Sequence, residues 1–325
     1  MKRVSCRVKI GDYVFSGVNQ VNVESSWDML TDTCKITIPR KIEWEGKALA
    51  TGQMPLLQRG QKVSIELGYD DANELVYQGY IIDVSAKIPT EITCEDDFFL
   101  LKKGEFTKSY RKVSLIQLLA DLFKGTGIKY KVVADRDLGQ FKISKATPAK
   151  VLNYLRENYH VKFFFRNGIF YAGLFAVPEL QQTHDFFFEP TAKSKDFQFI
   201  KENDLTFKRK EDLKIKLVGI IKQEKGKDKK IEIGDDEGET RTFHYPNISE
   251  AAVKKQLIEQ LERLKYDGYR GTMTVFGVPQ VQHGDLVNLY DPTYPERDGR
   301  YLVKKVSRSY GVQGSQQTLE LEQKY

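Results

Sequence analysis

Apolar and polar residues alternate with a period of two through most of this chain, and follow the 3.6-residue period of a helix in only three places. Near the C-terminus, Val287 and Leu289 flank Asn288, and Leu319 and Leu321 alternate with Thr318, Glu320 and Glu322. This is the pattern of half-buried antiparallel strands. Together with the polar loop to Asp298-Gly299 and the segment Tyr301-Leu302-Val303, it predicts a small meander over Gly277 to Tyr325.

A similar series stands earlier in the chain. Pro55 and Gly60 have the spacing of Pro279 and Gly284, and Val63-Ser64-Ile65 repeats Val287-Asn288-Leu289 at the same offsets. Tyr69-Asp70 stands for Tyr290-Asp291, Gly79-Tyr80 for Gly299-Arg300-Tyr301, and Ile92-Thr93-Cys94-Glu95 for the closing strand. The register slips, because Glu66-Leu67-Gly68 has no counterpart and a residue is missing between Gly79 and Tyr80. Each proline can start a strand without using a ladder donor, and each glycine suits the tight turn into the next strand. β-Meanders in general share such spacing; the preserved order of the features favours duplication. Pro55, Gly60, Gly79, Pro279, Gly284, Asp285, Gly299 and Tyr301 are therefore the candidate structural signature.

The rest of the chain fits around these two meanders. Val4, Cys6, Val8 and Ile10, then Val21 and Val23, then Cys34 to Ile38 before Pro39, predict strands that complete a first all-β unit over 1–104. Ser114 and Gln117 form a capping box ahead of Leu115, Leu118, Leu119, Leu122 and Phe123, a helix ended by Gly125. Thr147-Pro148 starts a second helix with Val151, Leu152 and Leu155 on one face, and Asn167-Gly168 between aromatic runs predicts a tight hairpin. These make an α+β module over 105–195, with the aromatics read as core. Strands at Phe197 to Ile200, Leu205 to Phe207, Leu213 to Val218 and Ile231 to Ile233, and a helix capped by Ser249 and ended by Gly268, lead to Thr272–Phe276 and the closing meander of a second unit, 196–325.

At 325 residues and 40% apolar composition, the chain is long enough for two or three folded domains. No apolar run approaches the ~20 residues of a membrane span, and the N-terminus enters a strand with no signal region, so a cytoplasmic product is expected. Cys6, Cys34 and Cys94 read as buried thiols of a reducing compartment. The net charge of +6 reads as lysines scattered among carboxylates, with one concentrated run from Lys222 to Lys230. A solvated hairpin tip accounts for that run; a basic finger for nucleic acid would need interleaved aromatics, which it lacks.

The residues offer little chemistry. His160, His184, His244 and His283 lack metal-ligand spacing, and no GxSxG, GxxxxGK[ST] or GxGxxG is present. Asp235-Asp236-Glu237-Gly238-Glu239 reads as an acidic turn, and Glu95-Asp96-Asp97 as solvated carboxylates at a strand end. An enzyme is not expected: catalytic residues none, cofactor none, metal none.

Three stretches also carry a resemblance. They are Leu30 to Pro39, Ser114 to Leu119 with Gly127-Ile128, and Gly277-Val278-Pro279 through Gly284-Asp285 to Gly299-Arg300-Tyr301-Leu302-Val303. Together they resemble the baseplate hub family of contractile-tailed phages, which includes the late-control D proteins and the N-terminal portion of VgrG spike proteins of type VI secretion. The resemblance covers nearly the whole chain. It implies an α+β, mostly β fold in which two tail-tube-like β-barrel or sandwich domains flank a small α+β insertion. It further implies a homotrimer whose six similar barrels form a ring between a hexameric tail tube and a trimeric spike. The partners so implied are other copies of the chain, the tail tube protein, a spike protein and other baseplate proteins, in a virion tail or an equivalent injection particle made in the bacterial cytoplasm. Neither a specific nucleic-acid contact nor stable membrane insertion is expected. Because the sequence stops at Tyr325 with no oligonucleotide-type barrel or β-helix needle, the spike is expected to be a separate polypeptide. The alternative expectation is a cell-wall or glycan-binding module carried by residues 105–195.

Overall fold

The computed structural model describes residues 3–39, 41–44, 47–50, 57–159, 161–173, 177–192, 197–221, 227–245 and 249–325. The first unit contains β1 (Val4–Ile10), β2 (Tyr13–Phe15), β3 (Gln20–Ser26), β4 (Thr33–Ile38), the hairpin β5 (Lys41–Trp44) and β6 (Lys47–Ala50), then β7 (Lys62–Tyr69), β8 (Ala72–Val84) and β9 (Thr90–Glu95). The insertion contains α1 (Phe98–Leu101), β10 (Phe106–Tyr110), α2 (Leu115–Leu122), β11 (Lys129–Val132), β12 (Phe141–Ala146), α3 (Pro148–Tyr159), β13 (Lys162–Arg166) and β14 (Ile169–Gly173). The second unit contains β15 (Thr183–Phe187), β16 (Glu202–Asn203), β17 (Thr206–Lys208), β18 (Ile215–Ile221), β19 (Lys229–Gly234), β20 (Glu239–Tyr245), α4 (Glu250–Leu264), β21 (Gly268–Phe276), β22 (Leu286–Tyr290), β23 (Gly299–Gly311) and β24 (Gly314–Lys324).

The fold is mostly β, and its two larger units repeat one strand order. In the first, the path runs β3-β4-β9-β8-β7-β1; in the second, β16 and β17 pair with β21, which leads through β24 and β23 to β22 and β15. Registers match as well among the inner strands, whereas the outermost strands differ in direction, β1 being antiparallel to β7 and β15 parallel to β22. Gly60 N–H donates to Ile81 O and Ile81 N–H to Gln61 O, while Gly284 N–H donates to Val303 O and Val303 N–H to Asp285 O. A bulge falls between Ile81 and Asp83 in one copy and between Val303 and Lys305 in the other. Gly79 lies opposite Val63 as Tyr301 lies opposite Val287, so Tyr301, not Gly299, is the counterpart of Gly79. Pro55 lies outside the described residues. Pro279 sits in the loop after β21, well before β22, so it does not open a strand.

Each sheet wraps a core of its own. Inward residues from the outer strands of the first unit, Val8 on β1 and Val21 on β3, share one cluster with Ile36, Ile65, Ile81 and Ile92. In the second unit Met273, Val287, Tyr301, Val303 and Leu319 do the same. Neither sheet closes into a barrel among the described residues. The units are instead joined edge to edge, because β3 pairs antiparallel with the second half of β23, from Lys305 opposite Ser26 to Tyr310 opposite Val21.

In the insertion, Ser114 and Gln117 make the expected capping box, and the leucines of α2 pack on Val151, Leu152 and Leu155 of α3. Asn167 and Gly168, both with positive φ, turn the hairpin between β13 and β14. The insertion core takes in Phe98 and Leu101, whereas β15, expected within the 105–195 module, pairs parallel with β22 and so joins the second unit. Residues 197–200 form no strand: Phe197 has a φ of 70°, and only an isolated bridge from Phe187 to Phe199 remains. The helix capped by Ser249 stops at Leu264, and Gly268 opens β21. Within the second unit, α4 packs Val253 and Leu257 onto Leu217 of the β19-β18-β20 sheet. The described ends of the basic run lie beside that hairpin, with Ile221 opposite Lys229, and residues 222–226 lie outside the described residues.

Two of the signature glycines differ in why they are glycine. A Cβ on Gly79 would stand 2.2 Å from the Glu95 carbonyl oxygen, while one on Gly60 meets nothing within 4 Å but must take a φ of +91°. Gly79→Ala is expected to destabilise by about 3 kcal/mol and Gly60→Ala by about 1 kcal/mol. Urea unfolding of the two variants measures the difference, and equal losses would contradict the close-approach reading.

Candidate functional site

The three units meet at a buried polar junction, reached from the insertion by the β13–β14 hairpin. Its run Phe163-Phe164-Phe165 lacks alternation because both faces are covered. Phe163 and Phe165 enter the insertion core, while Phe164 and Tyr171 pack with Trp27 of the first unit. Phe164 also stands edge-on to His283, with ring centroids 5.1 Å apart. Arg166, at the end of β13, is buried and extends into the second unit.

Asp285 receives it. Arg166 Nη2 donates to Asp285 Oδ1 at 2.6 Å and Nη1 to the His283 carbonyl at 3.3 Å. The same carboxylate accepts from the N–H groups of Gln182 (3.1 Å) and Gln282 (2.8 Å) and lies 3.3 Å from His184 Nε2. Burial opposes ionisation of Asp285, but the His184 contact, the Arg166 charge and the Gln282 N–H outweigh it and hold the carboxyl below its usual range. One side chain thus ties together the hairpin, the segment entering β15 and the turn entering β22.

The first unit contributes a carboxyl pair. Ser25 Oγ donates to Asp32 Oδ2 at 2.6 Å. Asp96 accepts from the Asp32 N–H (2.8 Å), Thr31 Oγ1 (2.8 Å) and the Phe98 N–H (2.9 Å). Asp96 is buried, so the expected solvated cluster at Glu95-Asp96-Asp97 is corrected on this point: its position opposite Asp32 and at the start of α1 gives it donors in place of water. Burial pushes Asp32 up to about 7 despite Ser25, Ser26 and Arg308, and burial together with the Asp32 charge pushes Asp96 well above the carboxylate range. The pair therefore holds fewer than two charges near neutrality. Arg308 of β23, opposite Val23 of β3, reaches back to donate to the Val281 carbonyl.

Between these groups lies a cavity of about 110 Å³, lined by Asp32, Tyr77, Asp96, Arg166, His283 and Arg308 among others. Tyr77 Oη, Arg166 Nε, His283 Nδ1 and Arg308 Nε are buried with no hydrogen-bond partner. A polar cavity of this size admits ordered water, which would partner them. Burial, then the Arg166 charge, pulls His283 down to about 3, so its imidazole is neutral.

The geometry is that of a fastening between the units. His184 and Asp285 form a pair, and no hydroxyl or thiol hydrogen bond to it occurs among the described residues. Burial pushes Cys6 and Cys94 up to about 12, far from thiolate. No group of three or more His, Cys, Asp or Glu that could hold a metal occurs among the described residues. The carboxyl pair titrates as acid–base sites do, yet Asp96 accepts three donors from its own chain.

Of the signature residues, Asp285 and Gly284 enter this junction; Gly284 accepts from Gln181 Nε2 at 3.0 Å. Tyr301 is fully buried elsewhere, its hydroxyl accepting from the Tyr269 N–H, and Gly60, Gly79 and Gly299 shape turns and close approaches. Asp96 and His283 were singled out by residue type alone and set aside, while Asp32, Arg166 and Arg308 gave no signal as site residues, except that Arg166 closes an unbroken aromatic run.

Asp285→Ala leaves the Arg166 guanidinium buried without its counter-charge, and is expected to cost about 3–5 kcal/mol in chemical unfolding. A group with a raised folded pKa gives stability that is present below its unfolded value and lost as pH climbs to the folded one. For Asp32 that window is about pH 4 to 7. His283, shifted the other way, loses stability as pH falls below about 6.5. Asp32→Asn should therefore flatten the decline in stability between about pH 4 and 7 relative to the wild type; parallel profiles would overturn the assignment.

No family model and no curated protein sequence matches the chain. Solved structures do match over nearly its whole length. The tail protein from Neisseria meningitidis is 17% identical with a TM-score of 0.68, the match covering 99% of this chain and 97% of that one. The 43 kDa tail protein of prophage MuSo2 from Shewanella oneidensis is 18% identical with a TM-score of 0.65, covering 98% of this chain and 97% of that one. The E. coli c3393 protein, a type VI secretion component with structural similarity to T4 bacteriophage tail proteins gp27 and gp5, is 10% identical with a TM-score of 0.60, covering 97% of this chain and 76% of that one. Two sheets of one strand order, joined by a shared ladder and flanking an α+β insertion, give this chain the fold of these tail and secretion-system proteins.

Proposed function

We propose that the chain is a structural hub of a contractile injection machine, a phage or prophage tail or a type VI-like apparatus, and not an enzyme. In this reading three copies form a ring of six similar sheet units, which adapts a hexameric tail tube to a trimeric spike. Its partners are other copies of itself, the tube protein, a spike protein and other baseplate proteins, in the assembled particle. The tail and secretion proteins that share the fold support the setting.

One observation carries the ring: the edge-to-edge join of β3 on β23 has an unfilled counterpart, among the described residues, at the β16–β17 edge and the end of β8. By strand order β16 and β17 correspond to β3, since each borders the strand next to the closing strand. By register Val84 of β8 corresponds to Val306 of β23, because they face Ile92 and Leu319, the residues opposite Ile36 and Met273. A second copy that repeats the internal join sets its β16–β17 edge against the end of β8 and the following turn, where Ile88 is 66% exposed. Three such joins close a ring, cover the free edges and bury far more than the ~1,600 Å² of an ordinary contact.

Cross-linking tests the arrangement. The native cysteines are buried, so Glu202→Cys with Lys87→Cys, treated with a short bis-maleimide, should yield a ladder ending at three chains, and neither single variant should. A monomer by light scattering at high concentration, with no cross-linked species, would remove the ring.

A further inference from the structure

The positive charge of this chain is concentrated in one place. Residues 98–173 hold fifteen Lys and Arg against five Asp and Glu, a net +10 in a chain of net +6, so all the rest sums to −4. Lysines read as scattered among carboxylates, with one run from Lys222 to Lys230, are thus also gathered in the insertion, where basic residues outnumber acidic ones three to one. Lys102, Lys108 and Lys112 are paired with Glu95, Asp121 and Asp137. Arg111, Lys124, Lys129, Lys131, Lys142 and Lys150 are exposed and make no ion pair among the described residues.

Two of these lysines border a groove of about 290 Å³ between β12 and α3, lined by Phe141, Lys142, Ser144, Lys150, Tyr154 and Tyr159 among others. Alternation along β12 turns Phe141 and Ile143 into the core and leaves Lys142 and Ser144 outside. Tyr154 is 49% exposed on α3. Its ring is held edge-on to Phe141, with centroids 5.9 Å apart, and tilted to Tyr159 at 6.1 Å. The exposed carboxylate on α3, Glu157, accepts from Asn153 Nδ2 at 2.7 Å.

We propose that this groove binds an acidic sugar unit of a cell-surface polysaccharide, independently of the ring. A fixed, half-exposed ring offers its face to the C–H side of a pyranose, the lysines meet a uronate or phosphate substituent, and Ser144 offers a hydroxyl to a ring hydroxyl. A strand of nucleic acid would call for successive exposed rings along a basic track, and the groove presents one. The overall charge of the insertion draws a polyanion towards it.

Fluorescence anisotropy on the full chain, with labelled polygalacturonate, neutral dextran and a thymidine oligonucleotide as probes, tests this. Polygalacturonate should bind, dextran should not, and the oligonucleotide should bind more weakly than polygalacturonate. Tyr154→Ala should weaken polygalacturonate binding about tenfold and Tyr154→Phe leave it within twofold, while Lys142→Glu with Lys150→Glu should abolish it. An unchanged thermal midpoint for these surface variants shows that the fold survives. Absence of binding, equal binding of dextran, tighter binding of the oligonucleotide, or indifference to Tyr154→Ala would each overturn the proposal.

Discussion

The fold depends on a single strand that serves two neighbours along one edge. β23 pairs with β22 through its first four residues and with β3 from Lys305 onward, while its other edge pairs with β24. The bulges between Tyr301 and Lys305 fall where one neighbour gives way to the other. A bulge adds twist and re-aims a strand, so the second half of β23, still paired with β24, parts from β22 and becomes the seam with the first unit. Backbone groups that would otherwise form an exposed edge are satisfied inside the chain.

A seam of hydrogen bonds alone leaves the units free to hinge, and the buried junction restrains that freedom. Arg166, Asp285, Arg308, Asp32 and Asp96 come from all three units and lie beneath the seam and the insertion hairpin. Charges out of water cost far more when unpaired than they return when paired, so one arrangement of the units is tolerated and displaced ones are penalised. That is specificity of placement more than stability. A rigid joint of this kind suits a part whose two units must present similar surfaces at a fixed angle.

The insertion is chemically unlike the units it separates. Its core is aromatic and leucine-rich, its net charge exceeds that of the whole chain, and both faces of its hairpin are occupied. Its hairpin packs on the first unit and α3 also approaches β20, while Tyr154 on α3 is half-exposed.

The alternation at Val287-Asn288-Leu289, the capping box at Ser114 and the Asn167-Gly168 turn were legible because each is a local preference: period, cap and positive φ act within a few residues. The repeated Gly60 and Gly284 were legible for the same reason, as turns demanding left-handed backbone. Local preference also misled, since Phe197 to Ile200 alternates like a strand yet turns away at Phe197, and Gly268 reads as a helix stop yet opens a strand. What only the tertiary structure decided is every contact between units: Tyr301 as the counterpart of Gly79, β3 on β23, Asp96 buried against Asp32, and Arg166 on Asp285. Those residues lie 64 to 289 positions apart, and no periodicity records such a meeting. Burial of a polar group depends on which surfaces come together, a global balance of desolvation against pairing, whereas the choice of helix, strand or turn is settled largely by neighbours in sequence.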